Sequence, residues 1–217
     1  MRSFWRSLSY YDENVKKINH LIKERKEQIL CSEFIEPSCT VLELGARYGM
    51  SSCVINTILD NKEAHVAVEP DSRVWEALEG NRARNNCKFH ILKGVISEKN
   101  YKLVDTDYWY GYGTRTEEVE ESDVISFPLS KIQEIYNLKF DTLVADCEGF
   151  LQTFFEENPL MYKQLRLVIF ELDCPKICNY KKIIENLTLH GFTLVGGMNA
   201  AGKGLFRQCW RKNILDT

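Results

Sequence analysis

Carboxylates set beside glycine turns are the residues of this chain best placed to do chemistry. The run Val41-Leu42-Glu43-Leu44-Gly45-Ala46-Arg47-Tyr48-Gly49 reads as a buried strand ending in an acid, then a tight turn, then the start of a helix. Gly45 lets the backbone come close to a ligand, and Gly49 lets the following helix start against the strand. A second apolar run ends Val66-Ala67-Val68-Glu69-Pro70. An acid at that place accepts ribose hydroxyls in nucleotide-binding α/β folds. Asp146-Cys147-Glu148-Gly149 follows another apolar run, and Glu171 and Asp173 close the next.

The spacing discriminates between ligands. A dinucleotide pyrophosphate wants G-x-G-x-x-G, with bare backbone facing its phosphates. Here the turn is E-x-G-x-x-x-G, and Glu43 would meet a diphosphate with like charge. An acid there suits the ammonium and sulfonium of S-adenosylmethionine. The expected cofactor residues are Glu43, Gly45, Ala46, Arg47, Tyr48, Gly49 and Ser51 at the first turn, with Glu69 and Pro70 at the second. Gly94 and Val95, where backbone groups can read an adenine edge, and Asp146 complete the set.

Methyl transfer is an in-line displacement, so it needs positioning and a base for the acceptor's proton. Asp146 is the expected contact to both donor and acceptor, and Glu148 and Glu171 are the candidate bases. A carboxylate ordinarily titrates near ~4, so crowding or burial must raise it. The same acids offer a second reading, hard oxygen ligands for Mg²⁺ at Asp146, Glu171 and Asp173. His20, His65, His90 and His190 all fall at structural positions. Within the long segment Tyr101 to Ser122, aromatic first and acidic after, Trp109, Tyr110 and Tyr112 are the expected acceptor surface together with Asp173. Aromatic faces stack on the apolar side of sugar rings.

The elements that must position these groups alternate short β-rich runs with helical patterns, the signature of a mainly parallel sheet. Strands are expected at Thr40–Leu44, His65–Glu69, Lys88–Leu92, Asp141–Asp146, Arg166–Leu172, Phe192–Val195 and Leu205–Trp210, the last two joined by a Gly-rich link. Asp123–Phe127 either adds a strand or lies along the surface. Helices are expected at Asp12–Phe34, Met50–Asp60, Ser72–Asn85, Leu129–Leu138, Leu151–Tyr162 and Asn179–His190. In the first, Val15, Ile18, Leu21, Ile22, Ile29 and Leu30 form an apolar stripe. The expected fold is one Rossmann-like α/β domain over 1–217. It has a seven-stranded sheet, mostly parallel with an antiparallel C-terminal strand, and helices on both faces. Residues 1–37 are an N-terminal helical extension and 97–130 an insertion or lid.

Composition bounds the function. The formal charge is −3 over 217 residues, with a pI near 5.9. Nucleic acid is therefore a disfavoured partner. No run is long and apolar enough to span a bilayer, and a cytoplasmic address follows by default. The eight cysteines are scattered and lack zinc spacing.

These residues resemble the FkbM-type methyltransferase family over about Cys39 to Phe192. The features shared are the Gly45–Gly49 turn, Glu69-Pro70, Leu78-x-x-Asn81-x-x-x-Asn85, Ser97 after Val95-Ile96, and above all Asp146-x-Glu148-Gly149 with a following strand ending in Glu171. The resemblance implies a seven-stranded sheet and O-methylation of a hydroxyl, often on a sugar or secondary metabolite. Glu43, Arg47, Val144 and Leu151 depart from the family's usual Asp, Asn, Lys and Glu. Two other functions compete: a nucleic-acid methyltransferase, and a non-catalytic module that binds cofactor or protein partners, standing alone or as a domain of a larger chain. The first would show an Asn/Asp-Pro-Pro-aromatic run where Asp146–Gly149 stands.

Overall fold

In the computed structural model, which describes residues 4–105, 113–200 and 204–213, the apolar runs become strands buried on both faces. The elements in chain order are α1 (Arg25–Phe34), β1 (Val41–Leu44), α2 (Met50–Ile58), β2 (His65–Val68), α3 (Trp75–Arg84), β3 (His90–Leu92), α4 (Leu129–Tyr136) and β4 (Thr142–Ala145). They continue with α5 (Leu151–Glu157), α6 (Met161–Gln164), β5 (Leu167–Glu171), α7 (Tyr180–Leu189), β6 (Phe192–Ala200) and β7 (Gly204–Lys212). One seven-stranded sheet runs in the order β6-β7-β5-β4-β1-β2-β3. The pairings β5–β4, β4–β1, β1–β2 and β2–β3 are parallel, whereas β7 runs antiparallel to both neighbours. The expected α/β Rossmann-like sheet is thus present.

Alternation along each strand sorts the core into two layers. Leu42, Leu44, Val66, Val68, Leu143 and Phe170 pack under α4 to α7. Val41, Val144 and Ile169 face α1 and α2, and Ala67 faces α2 and α3. Among the described residues, no helix is long and apolar enough to cross a membrane. All eight cysteines are free thiols.

Three elements depart from expectation. The long first helix is only α1, preceded by a two-stranded antiparallel pair, Tyr10–Tyr11 with Lys17–Ile18. The Asp12 carboxylate accepts from the backbone N–H groups of Asn14 and Lys16, and Val15 takes φ 58°. A side chain that captures nearby N–H groups in this way competes with helix. Ile18, Ile29 and Leu30 of the stripe are buried, while Val15, Leu21 and Ile22 face solvent. Leu151–Tyr162 breaks into α5 and α6 around Pro159. Within the insertion, Asn100–Val104 and Arg115–Val119 pair as an antiparallel hairpin, and Ser126–Phe127 pairs in parallel with Val95–Ile96.

Asn81 and Asn85 of α3 hold the N-terminal segment down. Asn81 is fully buried; it donates to the Tyr11 and Tyr48 carbonyls and accepts from Tyr11 N–H, at 2.8–2.9 Å. Asn85 exchanges two bonds with the Ser9 backbone at 3.0 Å. Asn81→Ala should strand those backbone groups and lower unfolding free energy by about 2–3 kcal/mol, read from urea denaturation.

Candidate functional site: an acidic crevice at the switch point

The chain leaves β1 toward β2 on one side and reaches β4 on the other, which opens a crevice at the carboxyl ends of these strands. Its cavity volume is about 120 Å³. Of the residues expected from sequence, Glu43, Gly45, Ala46, Arg47, Ser51, Glu69, Pro70, Gly94, Val95, Asp146 and Glu148 line it. Trp109, Tyr110 and Tyr112 lie outside the described residues.

The floor is stitched by backbone. Gly45 and Ala46 N–H both donate to the Val68 carbonyl at 3.0 Å, and Asp146 N–H donates to the Leu44 carbonyl at 3.0 Å. Gly45 has φ +86°, and a Cβ there would sit 1.8 Å from the Asp146 carbonyl oxygen. Its glycine is therefore demanded by the neighbouring strand's turn, where the sequence argument had assigned it to a ligand. Gly49 serves packing too: its Cβ would meet Leu78 at 2.8 Å. Tyr48 is buried behind the turn, with its hydroxyl donating to Glu13. Tyr48 and Gly49 thus support the wall and do not line it.

Glu43 is buried at the end of β1, and its Oε2 lies 3.1 Å from His65 Nε2 on β2. This partnership was missed in the sequence; the signal was that both residues sit in paired parallel runs. Glu69 is buried as well, and accepts from Arg47 N–H at 2.6 Å and Asp71 N–H at 2.8 Å. Burial pushes it up to about 7 despite those two donors. Gly94 N–H donates to the Glu69 carbonyl and Val95 N–H to that of Ile125. Both N–H groups are thereby engaged within the protein, and both residues line the crevice.

The expected base Glu171 and the expected acceptor contact Asp173 both lie off the crevice lining. Glu171 pairs with Arg207 at 2.5 Å, and burial holds it up at about 8. Asp173 accepts from the Tyr180 hydroxyl and from Cys174 N–H, and its near neighbours are Glu148 and Cys174. Asp146, Glu171 and Asp173 therefore do not form one Mg²⁺ donor set. Asp146 instead meets Glu24 and Glu27 of the N-terminal segment.

The crevice is strongly acidic. Glu24, Glu27, Glu43, Glu69, Asp71, Asp146 and Glu148 line it, against the guanidinium of Arg47. Burial first, then like charges, raises Asp146 and Glu27 well above the usual carboxylate range. Glu148 is raised by burial and by Asp173. The hairpin closes one side through Leu103, Thr114 and Thr116. Arg73 ties it down, holding Asp105 at 2.6–2.7 Å and Asp71 at 2.8 Å.

Neither a family model nor a curated protein matches the chain. Solved structures match by fold. A precorrin-6y C5,15-methyltransferase from Geobacter metallireducens GS-15 superposes with TM-score 0.53 at 10% identity, over 90% of this chain and 93% of that one. A protein of the NADB-Rossmann superfamily from Streptococcus agalactiae gives 0.54 at 9% identity, over 88% and 70%. An O-methyltransferase from Bacillus cereus in complex with SAH gives 0.51 at 15% identity, over 84% and 76%. The class defined here is a Rossmann-like α/β fold. Within it, the chain shares its fold with methyltransferases among these neighbours.

The raised Glu69 makes stability depend on pH. The folded state keeps a proton there between about pH 4.5 and 7 that the unfolded chain has lost, so this group's contribution falls as pH rises through that window. At about 1.4 kcal/mol per pKa unit, the loss is at most about 3.5 kcal/mol. Glu69→Gln should flatten this slope while adding a fixed offset, because its amide nitrogen faces an N–H donor. Thermal midpoints of both proteins across that pH range check it.

Proposed function

We propose that this chain is an S-adenosylmethionine-dependent methyltransferase acting on a hydroxyl oxygen of a sugar, glycan or similar polyhydroxylated small molecule. The observation that carries the reading is the pair of buried acids, Glu43 and Glu69, ending adjacent strands around a glycine-bent turn. Cations suit such a crevice and a diphosphate does not. The methyl-bearing sulfonium and the ammonium of the donor fit it by charge, and Glu69 is set to accept from ribose hydroxyls, as acids in that position do. The fold shared with the two methyltransferases agrees with this assignment.

The donor supplies an electrophilic methyl group. The chain's residues then have three tasks. The Gly45–Gly49 turn, Ser51, Glu69 and Pro70 hold and orient the donor. Asp146, which lines the crevice at the end of β4, would contact both donor and acceptor. Glu148, lining the crevice with its proton affinity raised, takes the acceptor's hydroxyl proton as the oxygen attacks. The new O–CH₃ bond forms as the C–S bond breaks, and its electrons stay on sulfur. Glu171, paired with Arg207 at 2.5 Å, keeps that guanidinium in place. Trp109, Tyr110 and Tyr112 are proposed to frame the acceptor.

Glu148→Gln should retain donor binding and lose about 10²–10⁴-fold in turnover. Glu69→Ala should weaken donor binding, seen as a smaller thermal shift with saturating S-adenosylmethionine. Labelled donor incubated with panels of glycans, small alcohols, RNA and DNA, read by mass spectrometry, tests the acceptor class. Transfer only to nucleic acid, or to nothing while the donor fails to stabilise the protein, overturns the reading.

A further inference from the structure

Glu24 precedes α1 in a left-handed turn at φ 53°, and Glu27 stands in the first turn of the helix. Both line the crevice. With Asp146 at the end of β4, they present carboxylate oxygens that all lie within 4.8 Å of one another. Glu27 is 6% exposed and has neither a hydrogen bond nor an ion pair among the described residues. One Glu24 oxygen is likewise buried without a partner. The cation felt most strongly by Glu27 is Arg207, and it is already committed to Glu171.

Buried acids left without donors are costly and call for a counter-charge. We propose that Glu24, Glu27 and Asp146 bind a hard divalent cation. The donors are all carboxylate oxygens, which favour Mg²⁺, Mn²⁺ or Ca²⁺ over the softer metals that imidazole and thiolate select. The separations suit one central ion, since ligands on opposite sides lie about 4.2 Å apart around Mg²⁺ and about 4.8 Å around Ca²⁺. A single ammonium would neutralise one of the three acids, and a divalent ion neutralises two. Three protein ligands leave the other positions to water or to an acceptor oxygen. The neighbouring group of Glu148, Asp173 and Cys174 is a poorer site, because Asp173 is already bonded to Tyr180 and to backbone.

The ion site stands on these side chains alone. Its use, fixing an acceptor hydroxyl and easing loss of its proton, rests on the methyl-transfer reading. The test uses chelator-stripped full-length protein titrated with Mn²⁺, with free ion followed by electron paramagnetic resonance. Wild type should take up one equivalent per chain, and Mg²⁺ or Ca²⁺ should raise its thermal midpoint. Glu27→Gln should weaken Mn²⁺ binding by at least about tenfold, since even an outer partner of a metal ligand is worth that. Without metal it should unfold no earlier than wild type, because it removes an unpaired buried carboxyl. Glu69→Gln should bind Mn²⁺ as wild type does. No uptake by wild type at millimolar Mn²⁺, equal uptake by Glu27→Gln, or displacement of the ion by saturating S-adenosylmethionine overturns the proposal. Donor binding is scored separately, by thermal shift with S-adenosylmethionine on stripped protein. Loss of that signal with Mn²⁺ uptake intact sinks the methyl-transfer reading and leaves the ion site standing.

Discussion

Negative charge gathered in a low-dielectric crevice is the constraint around which this molecule is arranged. Carboxylates repel one another there and lose hydration, so each either finds a donor, keeps a proton or waits for a cation. The three outcomes are all present. Glu43 has His65 and Glu171 has Arg207. Glu69 has two backbone N–H groups and still titrates near neutrality. Glu27 and Asp146 lie against Glu24, with no hydrogen bond to either carboxylate among the described residues. An anionic ligand would relieve none of this, whereas hydroxyl donors relieve part of it and a cation more. The charge pattern therefore favours a cationic ligand that also carries hydroxyls.

Backbone geometry makes such crowding possible. The turns after β1 and β4 touch so closely that position 45 admits no side chain at all. Their contact brings the Glu43 and Asp146 ends of the strands to one place, while the Val68 carbonyl accepts two N–H groups and binds the β1 turn to β2. Rigid parallel strands, buried on both faces, hold these ends in register. Acids on mobile loops would swing apart and solvate themselves; acids at the ends of a packed sheet must stay.

How far the sequence discloses this follows from which signals are local. Apolar runs bounded by Gly45, Glu69-Pro70 and Asp146–Gly149 disclosed the sheet, because a buried parallel strand has no other composition available to it. Glu43, Glu69 and Asp146 were legible for the same reason, being strand ends. The N-terminal segment misled, since Ile18, Ile29 and Leu30 keep helical spacing across a stretch that Asp12 turns into a hairpin. Glu24 and Glu27 carry no local signal, because only the turn at Glu24 and the docking of α1 bring them to the crevice. The hairpin inside the insertion was hidden by its polar strand Arg115–Val119, which pairs without burying a full face. Glu171 and Asp173 were placed by strand end alone, and only tertiary partners, Arg207 and Tyr180, reveal that both are engaged elsewhere.

The N-terminal segment then takes on a different meaning from the extension it first suggests. Asn81 and Asn85 of α3 clamp its backbone, and the Tyr10 hydroxyl donates to the Met50 carbonyl at the start of α2. The Tyr48 hydroxyl on the crevice turn reaches Glu13 from the other side. The chain entering α1 is therefore fastened to the same helices that open the crevice, and it brings Glu24 and Glu27 over Asp146. The asparagine pattern that supports the FkbM-type resemblance thus acts at a distance from any ligand, by fixing the segment that completes the acidic wall. Loosening α3's grip would spread the charge of the crevice without touching one of its carboxylates, which couples the packing of this helix directly to the electrostatics of the site.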